Sequence, residues 1–277
     1  MQKTEGLPIY DSVRQGSAAL EELAEIFRYR DLVIQIVRRD ILTRYKRSVL
    51  GVAWTMLNPL GMMIVLSIAF STAFGIKQEG YAAYVLSGLI AWNFFSQTTN
   101  AAISHLVWGG DLLRRIYVPR TVFAVSAVGT GLVNLMLSIV PLLIVIFVTG
   151  VSIEPIVILL PIPIVFLTLF SLGVGLLVSA IAVYFADVAE MYQIVLTAWM
   201  YLTPIIYPES ILPPVYRVWI ARLNPMYHLV LLFRKPIYEG AIPSIAEIVI
   251  PACISVAVLI IGWMIFTKRA DEFAYRV

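Results

Sequence analysis

Residues able to do chemistry are sparse in this 277-residue chain, and their spacing excludes most enzymatic readings. His105 and His228 stand far apart, and neither has a carboxylate or thiol at metal-ligand spacing. Cys253 is the lone cysteine and lies in an apolar run, so no disulfide can form within the chain. A G-x-x-x-x-G-K-[ST] phosphate loop is missing, which excludes nucleotide binding by that route. Asp187 and Glu190 sit three residues apart beside an apolar run. They fit either a proton relay, as intramembrane acids often do, or acidic groups at the start of a helix, where the dipole favours them. They are too few for the metal-binding cluster that a membrane-embedded glycosyl- or phosphotransferase would need.

Other polar residues gather inside apolar stretches. Asn93, Ser96, Gln97, Thr98, Thr99 and Asn100 form a run too polar to face lipid. Asn93, Gln97 and Asn100 are therefore conduit candidates, although interhelical hydrogen bonding accounts for the run equally well. Asn134 with Pro141, and Pro161 with Pro163, read as residues that shape and pack helices. Ser171, Gly173, Gly175 and Ser179 read as a close-packing face. Trp54, Trp92, Trp199, Tyr201, Tyr207, Tyr216 and Trp219 cluster near the ends of apolar runs, as an aromatic belt does, and the same rings are able to stack on sugars.

The elements that must position these residues are set by composition. Hydrophobic residues make up 60% and charged residues 13% of the chain, and the mean hydropathy is +0.89, far outside the soluble range of roughly 45–50% and about 25%. This is the profile of an all-α integral membrane protein. The net charge of +3 is small, and its basic residues flank apolar runs instead of forming a nucleic-acid stripe, so topology explains them and a nucleic-acid partner is not expected. The first thirty residues lack the apolar core of a secretory signal.

Two regions follow, a cytoplasmic lead with an amphipathic helix over 1–50 and a transmembrane region over 51–277. Leu20, Leu23, Ala24 and Phe27 share one helical face; Val33, Ile34, Val37, Ile41 and Tyr45 then share one arc, with Gln35, Arg39 and Lys46 opposite. That layout suits a helix in the headgroup plane, with Arg38, Arg39, Arg44, Lys46 and Arg47 reaching phosphates. A helix packed on a partner protein would look the same. Spans are expected at 52–76, 82–106, 121–148, 156–184, 192–207 and 245–266, each apolar run bounded by turn or charge signals. Placing Arg38–Arg47, the loop VWGGDLLRRIYVPR and Lys268–Arg269 inside puts both termini in the cytoplasm.

One segment breaks the charge rule. The external stretch 208–243 carries Arg217, Arg222, Arg234 and Lys235. Pro208, Pro213, Pro214, Pro225 and Pro236 cut it into pieces too short to span, while Leu212, Trp219, Ile220, Leu223, Leu229 and Leu232 are too apolar for water. These residues are expected to bury against the spans, as short helices folded into the outer leaflet, where irregular backbone is tolerated if protein covers it. Such a lid would bring Tyr207, Tyr216, Trp219 and Tyr227 within reach of sugars, and Arg217 or Arg222 within reach of a pyrophosphate. An interfacial structural cap fits the same pattern.

Five motifs in order carry a resemblance: YKRSVLGVAWTMLNPL at 45–60, GLIAWNFFSQ at 88–97, LLRRIYVPR at 112–120, YLTPIIYPES at 201–210 and LNPMYHLVLLFRKPIYEG at 223–240. Together they resemble the membrane subunit of ABC-type polysaccharide exporters, the permeases for O-antigen, capsule and teichoic acid, over about residues 30–268. The resemblance implies a homodimer of six-span subunits in the bacterial cytoplasmic membrane, moving a polyprenyl-pyrophosphate-linked glycan outward. Each subunit would bind a separate cytoplasmic ATPase, which carries the ATP and Mg while this chain holds no cofactor. It further implies an interface helix before Ser48, a coupling helix at 110–118 and external re-entrant gate helices at 208–234. In the coupling stretch, Gly109 and Gly110 permit a sharp exit, Asp111 is able to cap, and Leu112, Leu113 and Ile116 form an apolar knob among Arg114, Arg115 and Tyr117; Pro119 stops it. Members often show an Arg-Asp pair after the fourth span. This chain has Ala186-Asp187, which removes that ionic partner. An ABC permease for lipids or drugs is the nearest alternative, and a secondary transporter would show internal repeats that are not evident here.

Overall fold

A computed structural model describes residues 18–46, 48–76, 80–107, 118–151, 154–185 and 187–269, which are mostly helical, with no strand among them. The helices run in the order α1 (Ala18–Arg28), α2 (Arg30–Tyr45), α3 (Ala53–Phe74), α4 (Tyr81–Val107), α5 (Thr121–Val148), α6 (Pro161–Ala182), α7 (Val188–Leu202), α8 (Pro214–Leu223), α9 (Pro225–Arg234) and α10 (Ile245–Arg269). A 3-10 turn at Pro155–Leu159 leads into α6, and a π turn at Lys235–Glu239 closes α9.

Among the described residues, four segments are long and apolar enough to cross a membrane: Ala53–Phe74, Thr121–Val148, Pro155–Ala182 and Ile245–Arg269. The 27 residues of α4 reach about 40 Å, but its polar run sets it apart from these four. Its polar side chains are tolerated because α4 is the centre of the bundle. Val85, Leu86, Leu89, Ile90, Trp92 and Phe95 are all buried, and Trp92, Phe95, Phe170 and Trp199 meet edge-on or tilted, with Phe95 5.3 Å from Trp199 and 5.4 Å from Phe170. α7 has 15 residues and covers about 22 Å, short of the ~30 Å hydrocarbon layer.

Local chemistry sets the boundaries. Ser48 Oγ accepts from the Gly51 amide, and Gly51 takes the left-handed conformation at φ 50°, turning the chain from α2 into α3. The expected span 192–207 ends early, because Pro204 forces the preceding Thr203 into extended backbone (ψ 133°) and forbids the next helical bond. The expected span 156–184 starts as a 3-10 turn and becomes α-helical only from Pro161, whose fixed φ suits a first helical position.

α6 lies between α4 and α10, and its small residues face both. A Cβ on Gly175 would sit 3.2 Å from Ala102 of α4, whereas one on Gly173 would lie 2.6 Å from the Leu259 backbone nitrogen of α10. Residues two apart on a helix point about 200° apart. The single packing face expected from these glycines is therefore two faces, each allowing close approach.

α2 meets the bundle with one face and leaves another open. It packs on the start of α5, burying Ile36 with Val118, Val122 and Phe123, and Val37 touches the Gly129 position. The buried side is rotated roughly 90° from the apolar arc read in the sequence. Ile34 of that arc is 63% exposed, as is Leu42 at 60%. α2 thus carries one apolar strip against the bundle and a second one open.

Candidate functional site

Two constructions stand out, one at each end of the bundle. At the end where α3 begins, α3, α4 and α5 enclose a cavity of about 300 Å³. Asn58 and Trp54 of α3, Asn93 and Gln97 of α4, Asn134 of α5 and Arg44 of α2 line it, together with Thr55 and Ser138. Among the described residues, no side chain or backbone group bonds to the four carboxamides. Asn58 and Gln97 are exposed and Asn93 and Asn134 half-buried, so their amides are open to whatever occupies this space, and they suit polar matter. Asn93 and Gln97 of the polar run line this cavity, whereas the Asn100 amide donates to the Ser96 carbonyl at 2.9 Å within its own helix. Asn134, read from sequence as a packing residue, belongs to the cavity, and Asn58 was not singled out at all.

Beside the cavity, α2 is tied to the end of α4 by His105, whose Nε2 lies 3.3 Å from an Asp40 carboxylate oxygen; Arg39 is 3.0 Å from the same carboxylate. Histidine chemistry here is structural. His228 likewise lies 2.7 Å from the Ala221 carbonyl. No group of three metal ligands occurs among the described residues.

At the other end, the chain after α7 folds back through Thr203–Tyr207 against α4 and α9. Arg234, 3% exposed, donates from Nη1 to the Pro204 carbonyl at 2.6 Å and from Nη2 to Ile205 at 2.6 Å and Tyr84 at 3.2 Å. Its guanidinium lies 3.7 Å over the Tyr84 ring, a cation–π contact in a dry site. Tyr81 donates its hydroxyl to the Ile206 carbonyl, and the Tyr84 hydroxyl lies 3.2 Å from both the Pro204 and Tyr207 carbonyls. Four successive carbonyls, 204–207, are thereby occupied by side chains. Gly88 is required beneath them, because a Cβ there would strike Arg234 Nη2.

Asn224 links this turn to α9. Its Oδ1 accepts from the Met226 and Tyr227 amides and, at 2.8 Å, from Trp199 Nε1; its Nδ2 donates to Thr203 Oγ1 at 2.9 Å. The Asn224-Pro225 pair is a helix-start signature legible in sequence, a capping side chain before a proline at the first position. Lys235 pairs with Glu247 at 2.9 Å and Glu239 at 3.4 Å, and the hydrogen bond it donates to Glu247 raises its ammonium pKa. Arg217 donates to the Leu212 carbonyl at 2.9 Å. The cations that break the charge rule are in large part locally bonded.

The apolar residues of the segment 208–243 divide. Leu229 and Leu232 of α9 are buried as expected, but Trp219 and Leu223 of α8 are 58% and 71% exposed. α9 is wedged against α4 and α10, whereas α8 stands off the bundle with Tyr216, Arg217 and Arg222 also exposed. Tyr227 is half-buried, and Tyr207 donates to the Tyr201 carbonyl at 2.7 Å. Arg38 and Arg39 are exposed on α2 and Lys46 at its end, while Arg44 reaches the cavity. Arg47, and the whole coupling stretch Asp111, Leu112, Leu113, Arg114, Arg115, Ile116 and Tyr117, lie outside the described residues, as does the Tyr45 side chain. Asp187 precedes α7 without a capping bond, and Glu190 lies in the first turn.

Residues 31–238, which contain both constructions, match the family described as ABC-2 type transporter. The chain belongs to that family. Among ABC-2 transporters, it is 31% identical over 251 residues to the O-antigen export system permease protein RfbA of Myxococcus xanthus, covering 90% of this chain and 96% of the relative. A Klebsiella pneumoniae protein of the same name is 24% identical over 246 residues (88% and 94%). The Escherichia coli polysialic acid transport protein KpsM is 24% identical over 238 residues (84% and 91%). As an ABC-2 membrane subunit, the chain is a transport protein, and its apolar helices suit a membrane location.

Proposed function

We propose that this protein is the permease subunit of an ATP-driven exporter that moves polyprenyl-pyrophosphate-linked polysaccharide, of the O-antigen or teichoic-acid type, across the bacterial cytoplasmic membrane. The observation that carries this is the near full-length likeness to export permeases named for O-antigen, joined to a bundle with a polar cavity at one end and a folded-back turn at the other. In this reading two copies form a homodimer, and two ATPase subunits supply ATP and Mg from the cytoplasm. α4 and α7 complete six spans with the four apolar segments, α7 reaching its depth together with the turn at Thr203–Tyr207. Both termini are cytoplasmic. The open apolar strip of α2, with Ile34 and Leu42, supports an interface helix lying against lipid. α8 and α9 act as the external gate, with the exposed face of α8 covered by lipid or the second copy. Residues 110–118 form the coupling helix.

The test is to co-purify the chain with its ATPase and to identify retained lipid by mass spectrometry, alongside surface glycan in a deletion strain. A lipid-linked glycan in the complex and loss of surface glycan in the strain are expected. A complex free of such lipid, with surface glycan unchanged in the strain, would overturn the proposal.

A further inference from the structure

The cavity between α3, α4 and α5 has a chemistry narrower than that of a general conduit. Carboxamides present donors and acceptors side by side and carry no charge, so they match groups that are themselves both donor and acceptor, which hydroxyls are. Asn58, Asn93, Gln97 and Asn134 converge from three helices on one space, unpartnered by any described residue. A ring carrying several hydroxyls satisfies such a set; water alone would not require amides from every wall. Trp54 adds a flat apolar surface suited to the C–H face of a sugar ring. At about 300 Å³ the cavity stands at the small end of ligand sites, which run from roughly 300 to 1,000 Å³. That holds one ring, not a chain. Arg44 at the rim supplies a single guanidinium, whose fork fits one phosphate. The cavity opens among the first turns of α3, at the end of the bundle that carries the basic cluster of α2.

We infer that this cavity binds a single sugar ring attached to a phosphate, the ring against the four amides and the phosphate at Arg44, and so holds the lipid-proximal sugar of the exported glycan. The inference rests on the proposed function for its ligand source. A free sugar phosphate has the same chemistry, and a lipid-linked one adds a prenyl chain left outside in the bilayer.

The experiment uses the complex with its ATPase, in nanodiscs. Three probes are compared: farnesyl diphosphate carrying one glucose or N-acetylglucosamine, farnesyl diphosphate alone, and the corresponding free sugar 1-phosphate. Asn93→Leu and Asn134→Leu, singly, keep the branched shape and heavy-atom count of asparagine and remove the amide. Because these amides have no described partner, melting temperatures should not fall. The sugar-bearing lipid should bind wild type roughly tenfold more tightly than farnesyl diphosphate, and each variant should remove most of that difference. Arg44→Gln should weaken both lipid probes alike. Preference for the free sugar phosphate would overturn the lipid-linked assignment. Equal binding of sugar-bearing and sugar-free lipid, unchanged in the variants, would overturn the sugar site while leaving the proposed function standing if glycan is still retained. Failure of every prenyl diphosphate probe to bind wild type would overturn both.

Discussion

Replacing Gly173 with alanine tests the two-sided packing of α6. An ideal Cβ at Gly173 would lie 2.6 Å from the Leu259 nitrogen and 2.7 Å from the Leu259 Cα and Val258 carbonyl carbon. Ordinary contact begins at 3.4 Å, so the nearest approach is short by about 0.8 Å (3.4 less 2.6). Every atom in the way is main chain, so no rotamer change relieves the overlap, and α10 has to move bodily. Gly262 limits that movement, since it packs directly on the Gly173 carbonyl and is itself unable to accept a Cβ. Overpacking of this kind costs about 1–3 kcal/mol, offset by about 0.8–1.0 kcal/mol of helix propensity, so the net loss is up to about 2 kcal/mol, a fall in melting temperature of up to roughly 8 °C on the size scaling of globular chains. The control is Gly61→Ala in α3, where the new methyl meets nothing within 4 Å and helix propensity favours alanine by about 0.8–1.0 kcal/mol. Both variants would be purified in detergent and melted with tryptophan fluorescence as the readout. Gly173→Ala should melt below wild type and Gly61→Ala at or above it. If Gly173→Ala melted with the control, the close crossing of α6 and α10 would be refuted.

Two further outcomes follow from the other sites. Arg234→Lys leaves part of the carbonyl set unmatched, at about 1–3 kcal/mol for each orphaned group. In a Cys253→Ala background, a cysteine at Ile206, 1% exposed, should then react with an impermeant maleimide that does not reach it when Arg234 is present; protection in both would show that Arg234 does not hold the turn. Leu113→Asp or Ile116→Asp should reduce co-purification of the ATPase and stop export with no change in melting temperature, and normal export with an intact complex would show the coupling knob is elsewhere.

Much of this fold was legible because glycine, proline and polarity punctuate it. The expected span 121–148 coincides with α5, and Gly75 at φ 61° ends α3 close to the expected boundary. Pro204 already marked where α7 had to stop, although the length of the apolar run hid it. The folded-back turn and α9 were visible only as an anomaly, four cations in a stretch expected on the side that should lack them. Its cause lies in backbone oxygens distant in the chain, Tyr84 being 150 residues from Arg234, and backbone oxygens leave no trace in side-chain patterns. The amide cavity was half legible. The polar run of α4 announced a wet neighbour, but Asn58 and Asn134 are single residues in apolar helices and gain meaning only where the three helices cross. The face of α2 that meets the bundle was hidden in the sequence because Asp40, polar in type, belongs to it through His105.

The carbonyls of residues 204–207 bear on electrical leak. Cation channels make their filters by offering rows of backbone oxygens that replace an ion's water. Here the oxygens of Pro204, Ile205, Ile206 and Tyr207 are turned toward Arg234, Tyr81 and Tyr84. A bare sodium or potassium ion meeting this turn finds its ligands taken and a fixed positive charge behind them. Committing the oxygens inward leaves the turn without the row of free carbonyls that an ion needs in order to shed its water.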